Sequence, residues 1–524
     1  MWRCIMRSWR RFVVFMLSLV MLVSATAGCK SGSKTATTGK AATAGKATTA
    51  AKAGATGAKT TAKTSTNPIT GADLGPGEDP GAGNGPSEEP AEDPSDEPDA
   101  NTIDMGGRTI RLVSLWLPPA PDRESLLGVG TEEYDAFYYS LQEAEKKYNV
   151  KLDLVKGSST VRNDFTNAVL AGLVPCEALE TTNTHPIPNL ALQNMIIPVD
   201  EYVDFTSPLW SFGAVNSISY WKGKHWGIAS GIMYPGQIGS CVIYNKDIFN
   251  QEGIQDPQDL MDQDNWNWDT FLEAARLATK DLNGDGVVDQ FGMTGSYDRF
   301  INNLIFSNGG RLTYLENDKS YVSITDPKVI KAVQFGMDLV NVYKVVEPLT
   351  YTTKRNYNNR AEIFDQGKAG MLITEGYDLK YRIQAGINAA LAMLPKGPDA
   401  NVYGNVMISG RFFIFPITLT SDPAAGDIIR VVADANCSWD KSKSFWQGER
   451  KVYTTPQYGT ERDRKISSQY AASVDYPHEQ AYPGFPGKYQ SAVLGVFSGQ
   501  TGLGAALESI RAPLQTILDD TINK

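Results

Sequence analysis

Histidine is scarce in this sequence, which has only His185, His225 and His478 among its 524 residues. A metal hydrolase that binds its ion through several histidines is therefore not expected. The sequence also lacks the G-x-S-x-G, H-E-x-x-H and phosphate-loop motifs of common hydrolases and nucleotide-binding enzymes. Its 59 acidic residues leave one catalytic class open, because a glycoside hydrolase needs only two suitably placed carboxylates.

Cysteine is also rare. Cys4 and Cys29 lie near the N-terminus, and Cys176, Cys241 and Cys437 are spread through the rest of the chain. This content excludes a disulfide-rich scaffold, and the spacing matches no zinc or redox motif. Two interpretations of the last three cysteines remain: one disulfide with a spare thiol, or three small buried hydrophobic side chains. We favour the buried thiols.

Concentrated basic charge and long apolar runs are missing as well. The formal net charge is -10 and the sequence pI is about 5.1. Binding to nucleic acid needs a dense basic face, and none is visible beyond residue 104, so nucleic acid is not expected as a partner. No stretch after residue 23 approaches the roughly 20 apolar residues of a membrane-spanning helix.

The N-terminus has the pattern of an export signal. Four arginines precede an apolar run at residues 12–23, and small residues follow up to Gly28. Thr26-Ala27-Gly28-Cys29 resembles the lipobox of bacterial lipoproteins, which implies cleavage after residue 28 and lipidation of Cys29, although Leu is usual where Thr26 stands. Alternatively, an ordinary signal peptidase could cut after Ala27 and release the protein.

Residues 29–103 are predicted to be a disordered low-complexity tether. Their first half is almost entirely Lys, Ala, Thr and Gly, and their second half is rich in Pro, Gly, Asp and Glu, so neither half can bury a core. A flexible coil of this length would span about 50 Å. The segment is either a spacer that lifts a domain from the lipid surface or an inert insert.

The folded part opens with a β-α-β-α pattern. Residues 109–115 alternate as a strand, and aromatic and apolar residues between Tyr134 and Tyr148 recur at helical spacing. Val150, Leu152 and Leu154 then alternate as a second strand, followed by another amphipathic helix. This order is typical of a parallel sheet covered by helices, so the sequence predicts an α/β fold.

Several segments resemble one family in the same order along residues 107–440. The strongest is Val242-Ile243-Tyr244-Asn245-Lys246-Asp247-Ile248-Phe249, followed by Glu252-Gly253-Ile254 and by Asn265-Trp266-Asn267-Trp268-Asp269-Thr270-Phe271. Further matches lie at residues 144–152, 171–178, 308–310, 364–371 and 394–398. The chain thus resembles the extracellular solute-binding proteins of bacterial ABC importers, and among them the maltodextrin-binding type. Cys176 departs from the pattern, because Asp is usual there.

The resemblance implies a periplasmic-binding-protein-like fold with two α/β lobes and a ligand cleft between them. The first lobe would cover residues 104–238 and the second 239–373, with a return to the first at 374–435. By analogy, residues 436–524 would belong mainly to the second lobe. The resemblance also implies a monomer on the outer face of the bacterial cell membrane that binds an oligosaccharide or another small solute and delivers it to an ABC permease.

A sugar site combines aromatic faces with amide, carboxylate or guanidinium groups that bond hydroxyls. We expect such groups at strand ends and at the crossings between lobes. The candidate ligand-binding residues are Trp116, Trp226, Tyr234, Glu375, Tyr377 and Arg411. Tyr377 is the strongest candidate, because it matches a position where the family has an aromatic residue in the sugar site. Trp116 and Trp226 could instead belong to the core.

A candidate calcium loop spans Asp281 to Gly292. Its oxygen-bearing residues alternate and Gly286 stands at the sixth position, as in an EF-hand loop. The predicted metal ligands are Asp281, Asn283, Asp285, Val287 through its carbonyl, and Asp289. Gly292 replaces the usual bidentate Glu, so we expect a weak structural calcium site. The alternative is an Asp/Asn/Gly turn that only resembles one.

Two other classes of function remain open at this point. A surface polysaccharide hydrolase or lyase would turn over its glycan, whereas a sugar-binding sensor or adhesin would bind it without taking part in uptake. The family resemblance favours a binding protein that is not an enzyme.

Overall fold

The computed structural model of the protein describes residues 103–116, 141–182, 184–206, 217–229, 238–408, 410–437, 459–471 and 473–524. The predicted signal, Cys29, the tether up to residue 102 and Tyr234 lie outside these residues. Within the described part, no helix combines the length and the apolar character needed to cross a membrane.

Thirteen strands occur in the described residues. They are β1 Arg108–Ser114, β2 Val150–Lys156, β3 Ala178–Thr182, β4 Tyr220–Trp221, β5 Lys224–His225, β6 Ile228–Ala229, β7 Ser240–Asn245, β8 Phe291–Thr294, β9 Thr313–Glu316, β10 Lys319–Val322, β11 Ala369–Glu375, β12 Ala389–Met393 and β13 Arg411–Ile414.

Residues 141–148 are helical. The other α-helices of the described residues are numbered in chain order. They are α1 Val161–Leu170, α2 Lys246–Glu252, α3 Pro257–Asp262, α4 Trp268–Ala278, α5 Tyr297–Ser307, α6 Pro327–Met337, α7 Glu362–Asp365, α8 Asp378–Gln384, α9 Ala425–Cys437, α10 Glu461–Ala471, α11 Phe485–Phe497 and α12 Leu503–Thr521.

The first sheet has five strands in the order β2-β1-β3-β13-β6. β1 is parallel to β2 and β3, whereas β13 is antiparallel to β3 and β6. The observed order of β1, helical residues 141–148, β2 and α1 is the predicted β-α-β-α opening. Ile110 and Leu112 alternate with more exposed residues and are almost completely buried, as the period of a strand requires.

The second sheet has four strands in the order β12-β7-β11-β8. All seven residues of β11 and all five of β12 are buried, so these strands read as continuous apolar runs. β12 pairs with β7, which means that the chain is still in the second lobe at Met393. The predicted return to the first lobe at residue 374 is therefore wrong. After Glu375 the chain turns into α8 and then adds β12 to the same sheet.

Among the described strands, two pairs that are consecutive along the chain have one member in the first sheet and one in the second, so one connection leads from β6 to β7 and another from β12 to β13. Ser240 at the start of β7 pairs with Glu375 at the end of β11, and Arg411 at the start of β13 pairs with Thr182 at the end of β3. The strands that these connections join therefore meet them at the edges at which β3 and β11 end. Such edges are where open α/β sheets bind ligands.

The two connections touch each other beside Gly239. The Ser240 backbone N–H donates to the Val406 carbonyl at 2.6 Å, and the Gly239 N–H donates to Asn405 Oδ1 at 2.8 Å. A Cβ atom at residue 239 would lie 2.1 Å from the Val406 carbonyl oxygen, so this close approach requires glycine. These contacts mark the point where the lobes are joined, which we call the hinge.

The C-terminal helices attach to elements of the second lobe. Asp463 on α10 accepts the Leu391 N–H of β12 at 2.9 Å, and Gln515 on α12 accepts the Val322 N–H of β10 at 3.0 Å. α9 instead contacts the first lobe, because Asp434 accepts a hydrogen bond from the Tyr148 hydroxyl at 2.8 Å.

Candidate functional site

One polar cluster lies at the edge of the first sheet where β1 and β3 end. Ser114 pairs in register with Glu180, and the Ser114 hydroxyl donates to the Glu180 carboxylate. Arg411 lies 4.0 Å from Glu180, and its guanidinium lies over the Trp116 ring at 4.7 Å from the centroid. Ser114, Trp116, Glu180 and Arg411 form what we call the first-sheet cluster. It places an aromatic face beside a guanidinium and a carboxylate.

A second polar cluster lies at the end of β11. Glu375 is buried, and Arg299 in the first turn of α5 donates to it at 3.3 Å and to Asp298 at 2.8 Å. Burial raises the pKa of Glu375, and the Arg299 charge partly offsets this effect.

Tyr377 and a buried ion pair complete the second cluster. Arg360 Nε and Nη2 donate to the two Asp378 carboxylate oxygens at 2.8 and 2.6 Å, and Nη2 also donates to the Tyr377 hydroxyl at 3.1 Å. The Tyr377 ring meets Tyr381 edge-to-face at 6.3 Å. Arg299, Arg360, Glu375, Tyr377 and Asp378 form what we call the second-sheet cluster. Its ion pairs fix the position of the Tyr377 ring.

Residues 128–417, more than half of the chain, match the family model described as bacterial extracellular solute-binding protein. The chain belongs to this family. The prediction of a solute-binding protein made from the ordered sequence segments is thus confirmed.

Solved structures of this architecture match over nearly all of their own length. A maltose/maltodextrin-binding domain from Bdellovibrio bacteriovorus bound to maltotriose is 16% identical, with a TM-score of 0.53 over 79% of this chain and 100% of that one. A substrate-binding protein from Listeria monocytogenes in complex with cycloalternan is 14% identical, with a TM-score of 0.55 over 79% of this chain and 99% of that one. The sugar-binding protein MalE from Xanthomonas citri is 14% identical, with a TM-score of 0.57 over 79% of this chain and 98% of that one. At these identities the similarity concerns the fold, and it confirms the predicted two-lobed α/β class.

Another predicted aromatic residue of this solute-binding protein, Trp226, is not found in either cluster. Trp226 is buried, and its indole N–H donates to the Trp221 carbonyl at 3.0 Å within the β4–β5 hairpin. This environment is that of a core residue, which was the alternative considered for Trp226. Tyr234 falls in the connection from β6 to β7, outside the described residues.

Several residues of the clusters were not predicted from the sequence. They are Ser114, Glu180, Arg299, Arg360 and Asp378. Ser114 and Glu180 lie at or near strand ends, so the rule that indicated Trp116 and Glu375 also covers them. Arg299 and Arg360 gave no such signal, because their roles depend on carboxylates 76 and 18 residues away in sequence.

A polar segment at residues 478–480, with Glu479 buried at its centre, was also missed. Gln480 accepts a hydrogen bond from Asn302 of α5 at 3.2 Å, which ties this segment to the helix that carries Arg299. The Glu479 carboxylate is buried, and burial raises its pKa to about 7. Burial likewise lowers the pKa of His478 to about 4. The C-terminal region therefore brings titratable groups close to the helix of the second-sheet cluster.

The candidate calcium loop is exposed and turns back on itself between Lys280 and Gln290. Asp281 accepts the Gly284 and Gly286 N–H groups at 2.7 and 2.8 Å, which lowers its pKa. In the part of the chain described, no three or more acidic, histidine or cysteine side chains are gathered around a common metal position. The carboxylates of the loop mainly bond its own amides in this conformation.

Packing explains why the twelfth position of that loop has no glutamate. A Cβ atom at Gly292 would lie 2.2 Å from the Ala275 carbonyl oxygen of α4. Any side chain there would collide with the helix backbone. The close packing of β8 on α4 therefore rules out the bidentate ligand of an EF-hand at this position.

Cys176 and Cys241 are free, buried thiols. Burial raises the pKa of Cys176 to about 12 and that of Cys241 well above its ordinary value. Both therefore behave as small apolar side chains, as favoured from the sequence. The side chain of Cys437 lies outside the described part of the structure.

A separate groove of about 570 Å³ lies on the second lobe. It is lined by residues of the connection from β12 to β13, including Tyr403, and by Tyr470 at the end of α10. The groove shares no residue with either cluster.

Proposed function

We propose that this solute-binding protein captures an oligosaccharide between the first-sheet and second-sheet clusters and delivers it to an ABC permease. The observation that carries the proposal is that each cluster combines an aromatic ring with arginine and carboxylate groups at a ligand-binding edge of its sheet. Two of the solved relatives support it, because one is bound to maltotriose and another is in complex with cycloalternan.

Each part of a cluster has a task in sugar binding. The rings of Trp116 and Tyr377 offer flat apolar faces to the C–H patches of a sugar ring, while Arg411 and Glu375 bond hydroxyls. Contacts within each cluster already restrain these side chains, namely the ion pairs of Glu375 and Arg411, the hydrogen bond to Tyr377 and the guanidinium over Trp116. Little side-chain entropy is therefore lost when the sugar binds. Closure about the hinge would then enclose the sugar between both clusters.

Binding is tested by calorimetric titration and thermal shift of the purified protein with maltodextrins, cellodextrins, xylo-oligosaccharides and acidic oligosaccharides. A ligand that binds only the folded state raises the melting temperature, and we expect one sugar class to do so. Chromatography of the same mixtures checks turnover. Hydrolysis or elimination of the bound sugar would replace this proposal with a polysaccharide hydrolase or lyase.

Transport is tested by deleting the gene in its host and measuring growth and uptake on the sugar identified. We expect uptake to fail, because an importer depends on its binding protein to load it. Normal uptake despite tight binding would instead indicate a sugar sensor or adhesin. Light scattering of the purified protein checks the proposed monomer.

We further propose that Cys29 is lipidated and holds the protein on the outer face of the bacterial cell membrane. Two or more acyl chains give stable anchoring, whereas one gives only marginal binding. A Cys29→Ser variant is expected to leave the membrane fraction and lose palmitate label, while Cys4→Ser should behave like the wild type. Equal membrane retention of both variants would contradict the anchor.

Calcium binding at Asp281, Asn283, Asp285, Val287 and Asp289 remains part of the proposal. The loop supports it by exposing oxygen ligands at alternate positions. Each carboxylate also has lone pairs that accept no amide N–H and could therefore bind a cation. Without a bidentate glutamate, we expect dissociation constants of about 10⁻⁴ to 10⁻³ M. Calcium titration should raise the melting temperature of the wild type and of Asp520→Asn, but not of Asp281→Asn. An equal response of all three would place any calcium elsewhere.

A further inference from the structure

Arg162 differs from the arginines of the two clusters because it forms no ion pair with an acidic side chain of the described residues. It lies in the first turn of α1, where its Nη2 donates to the Thr182 hydroxyl at 2.8 Å. Its Nε is buried and bonds no acceptor in the described part of the protein. Arg162 as a whole is only half-buried, but withdrawing its Nε–H from water without an acceptor is unfavourable, so an acceptor from outside the chain would relieve it.

The hydroxyl that Arg162 contacts lies at the first-sheet cluster. Thr182 ends β3 and is the register partner of Arg411, and residues directly opposite each other in a sheet project to the same face. Glu180 lies two residues earlier on that face. Arg162 therefore adds a second guanidinium to the edge where Trp116 and Arg411 lie.

Among the described side chains at this edge, positive charge exceeds negative charge. Arg162 and Arg411 bring two positive charges, whereas Glu180 brings one negative charge and also accepts the Ser114 hydroxyl. His185 contacts Thr166 and Thr181, and burial lowers its pKa to about 4, so it is neutral near pH 7. The described side chains at this edge thus carry net positive charge.

In the second-sheet cluster, by contrast, each arginine is paired with a carboxylate of the protein. Arg299 contacts both Glu375 and Asp298, and Arg360 makes a two-point contact with Asp378. Its arginines already have carboxylate partners from the protein. A negatively charged substituent of the ligand would therefore be bound at the first lobe, not at the second.

We propose that Arg162, together with Arg411, binds a carboxylate of the ligand, so that the captured oligosaccharide contains a uronic acid. The proposal rests on the oligosaccharide-binding function proposed above. A guanidinium matches a carboxylate in both shape and charge, and it forms stronger bonds to it than to a hydroxyl. The Trp116 ring beside Arg411 would hold the pyranose ring that bears the carboxylate.

The test compares each acidic oligosaccharide with its methyl ester, which keeps the shape and removes the charge. Galacturonate, mannuronate and glucuronate trimers, their esters and maltotetraose are titrated into the purified protein by calorimetry. We expect one acid to bind at least tenfold more tightly than its ester. In Arg162→Gln this preference should fall to about threefold or less, and Arg162→Lys should keep part of it.

Arg430→Gln, on an exposed face of α9, is the control and should keep the full preference. Equal affinity for acid and ester in the wild type overturns the proposal and needs no variant to fold. Binding of maltotetraose alone, unchanged in Arg162→Gln, would overturn the uronate proposal and leave the oligosaccharide function intact. If no saccharide of either kind binds, the oligosaccharide function itself falls.

Discussion

Glu479 is the buried acid whose protonation should most affect stability. Its Oε2 accepts a long hydrogen bond from the Thr313 hydroxyl at 3.4 Å, and its Oε1 has no partner among the described residues. Burial raises its pKa from 4.5 to about 7. The folded protein therefore holds this proton more tightly than the unfolded chain does, which stabilises the fold only at acidic pH.

We expect Glu479→Gln to remove this pH dependence. The stabilisation from the raised pKa is fully present below pH 4.5 and is lost as the pH rises through about 7. The free energy of unfolding of the wild type, minus that of Glu479→Gln, should fall by roughly 3 kcal/mol between pH 4.5 and 8. Urea unfolding across this range measures it. Subtracting the two free energies cancels the opposite effect of His478, whose pKa is lowered. As a control, Glu316→Gln at an exposed site should show the same pH dependence as the wild type.

At the scale of single residues, the sequence predicted one partner of each main interaction in the two clusters but not the other. Trp116, Glu375, Tyr377 and Arg411 were predicted because strand ends and sugar chemistry restrict the choice of residue type. Their partners Glu180, Arg299 and Arg360 could not be predicted, because long-range pairing depends on how the strands align. Trp226 shows the limit of residue type alone, since a tryptophan near a crossing can equally well fill the core.

At the scale of elements, capping chemistry was readable from the sequence. Asn is a residue type that favours the N-cap position, and in α4 the Oδ1 of Asn267 accepts the Asp269 and Thr270 N–H groups at 3.0 and 3.2 Å. The Thr270 hydroxyl in turn accepts the Asn267 N–H at 3.0 Å. The lobe boundary near residue 374 was less readable, because a buried strand has the same apolar pattern whichever sheet it joins.

Asn267→Ala should destabilise the protein by about 1 kcal/mol, because it removes the reciprocal cap of α4. Ser296→Ala is a matched control: Ser296 is the cap residue of α5, but its side chain makes no capping hydrogen bond. It should change stability by less than about 0.5 kcal/mol. Urea unfolding measures both. If both variants lost the same free energy of unfolding, the capping hydrogen bonds of α4 would not contribute measurably to stability.

At the scale of the whole molecule, the hinge depends on one glycine. Gly239→Ala would push a methyl group into the Val406 carbonyl, so we expect a loss of about 1–3 kcal/mol in stability. Gly504→Ala in α12 is the control, because no atom lies within 4 Å of the added carbon. It should be neutral or stabilise by up to about 1 kcal/mol. Unchanged stability of Gly239→Ala would show that the two connections can separate.

The α/β architecture was predictable from ordered family segments and from strand and helix periods, because both reflect local burial along the chain. The C-terminal region was placed only by analogy. Its contacts are made by single side chains such as Asp463 and Gln515, which join elements 72 and 193 residues apart in sequence. Periodicity carries no information about contacts of this kind.

Capture of a sugar between the lobes requires one ligand to touch both clusters. Calorimetric titration of the best oligosaccharide into the wild type, Trp116→Ala, Tyr377→Ala and the control Tyr314→Ala tests this directly, because the first two variants alter different lobes and Tyr314 is an exposed hairpin residue. We expect both cluster variants to bind at least tenfold more weakly, which is about 1.4 kcal/mol each, and Tyr314→Ala to bind normally. Full affinity in both cluster variants would contradict capture of the sugar between the two lobes.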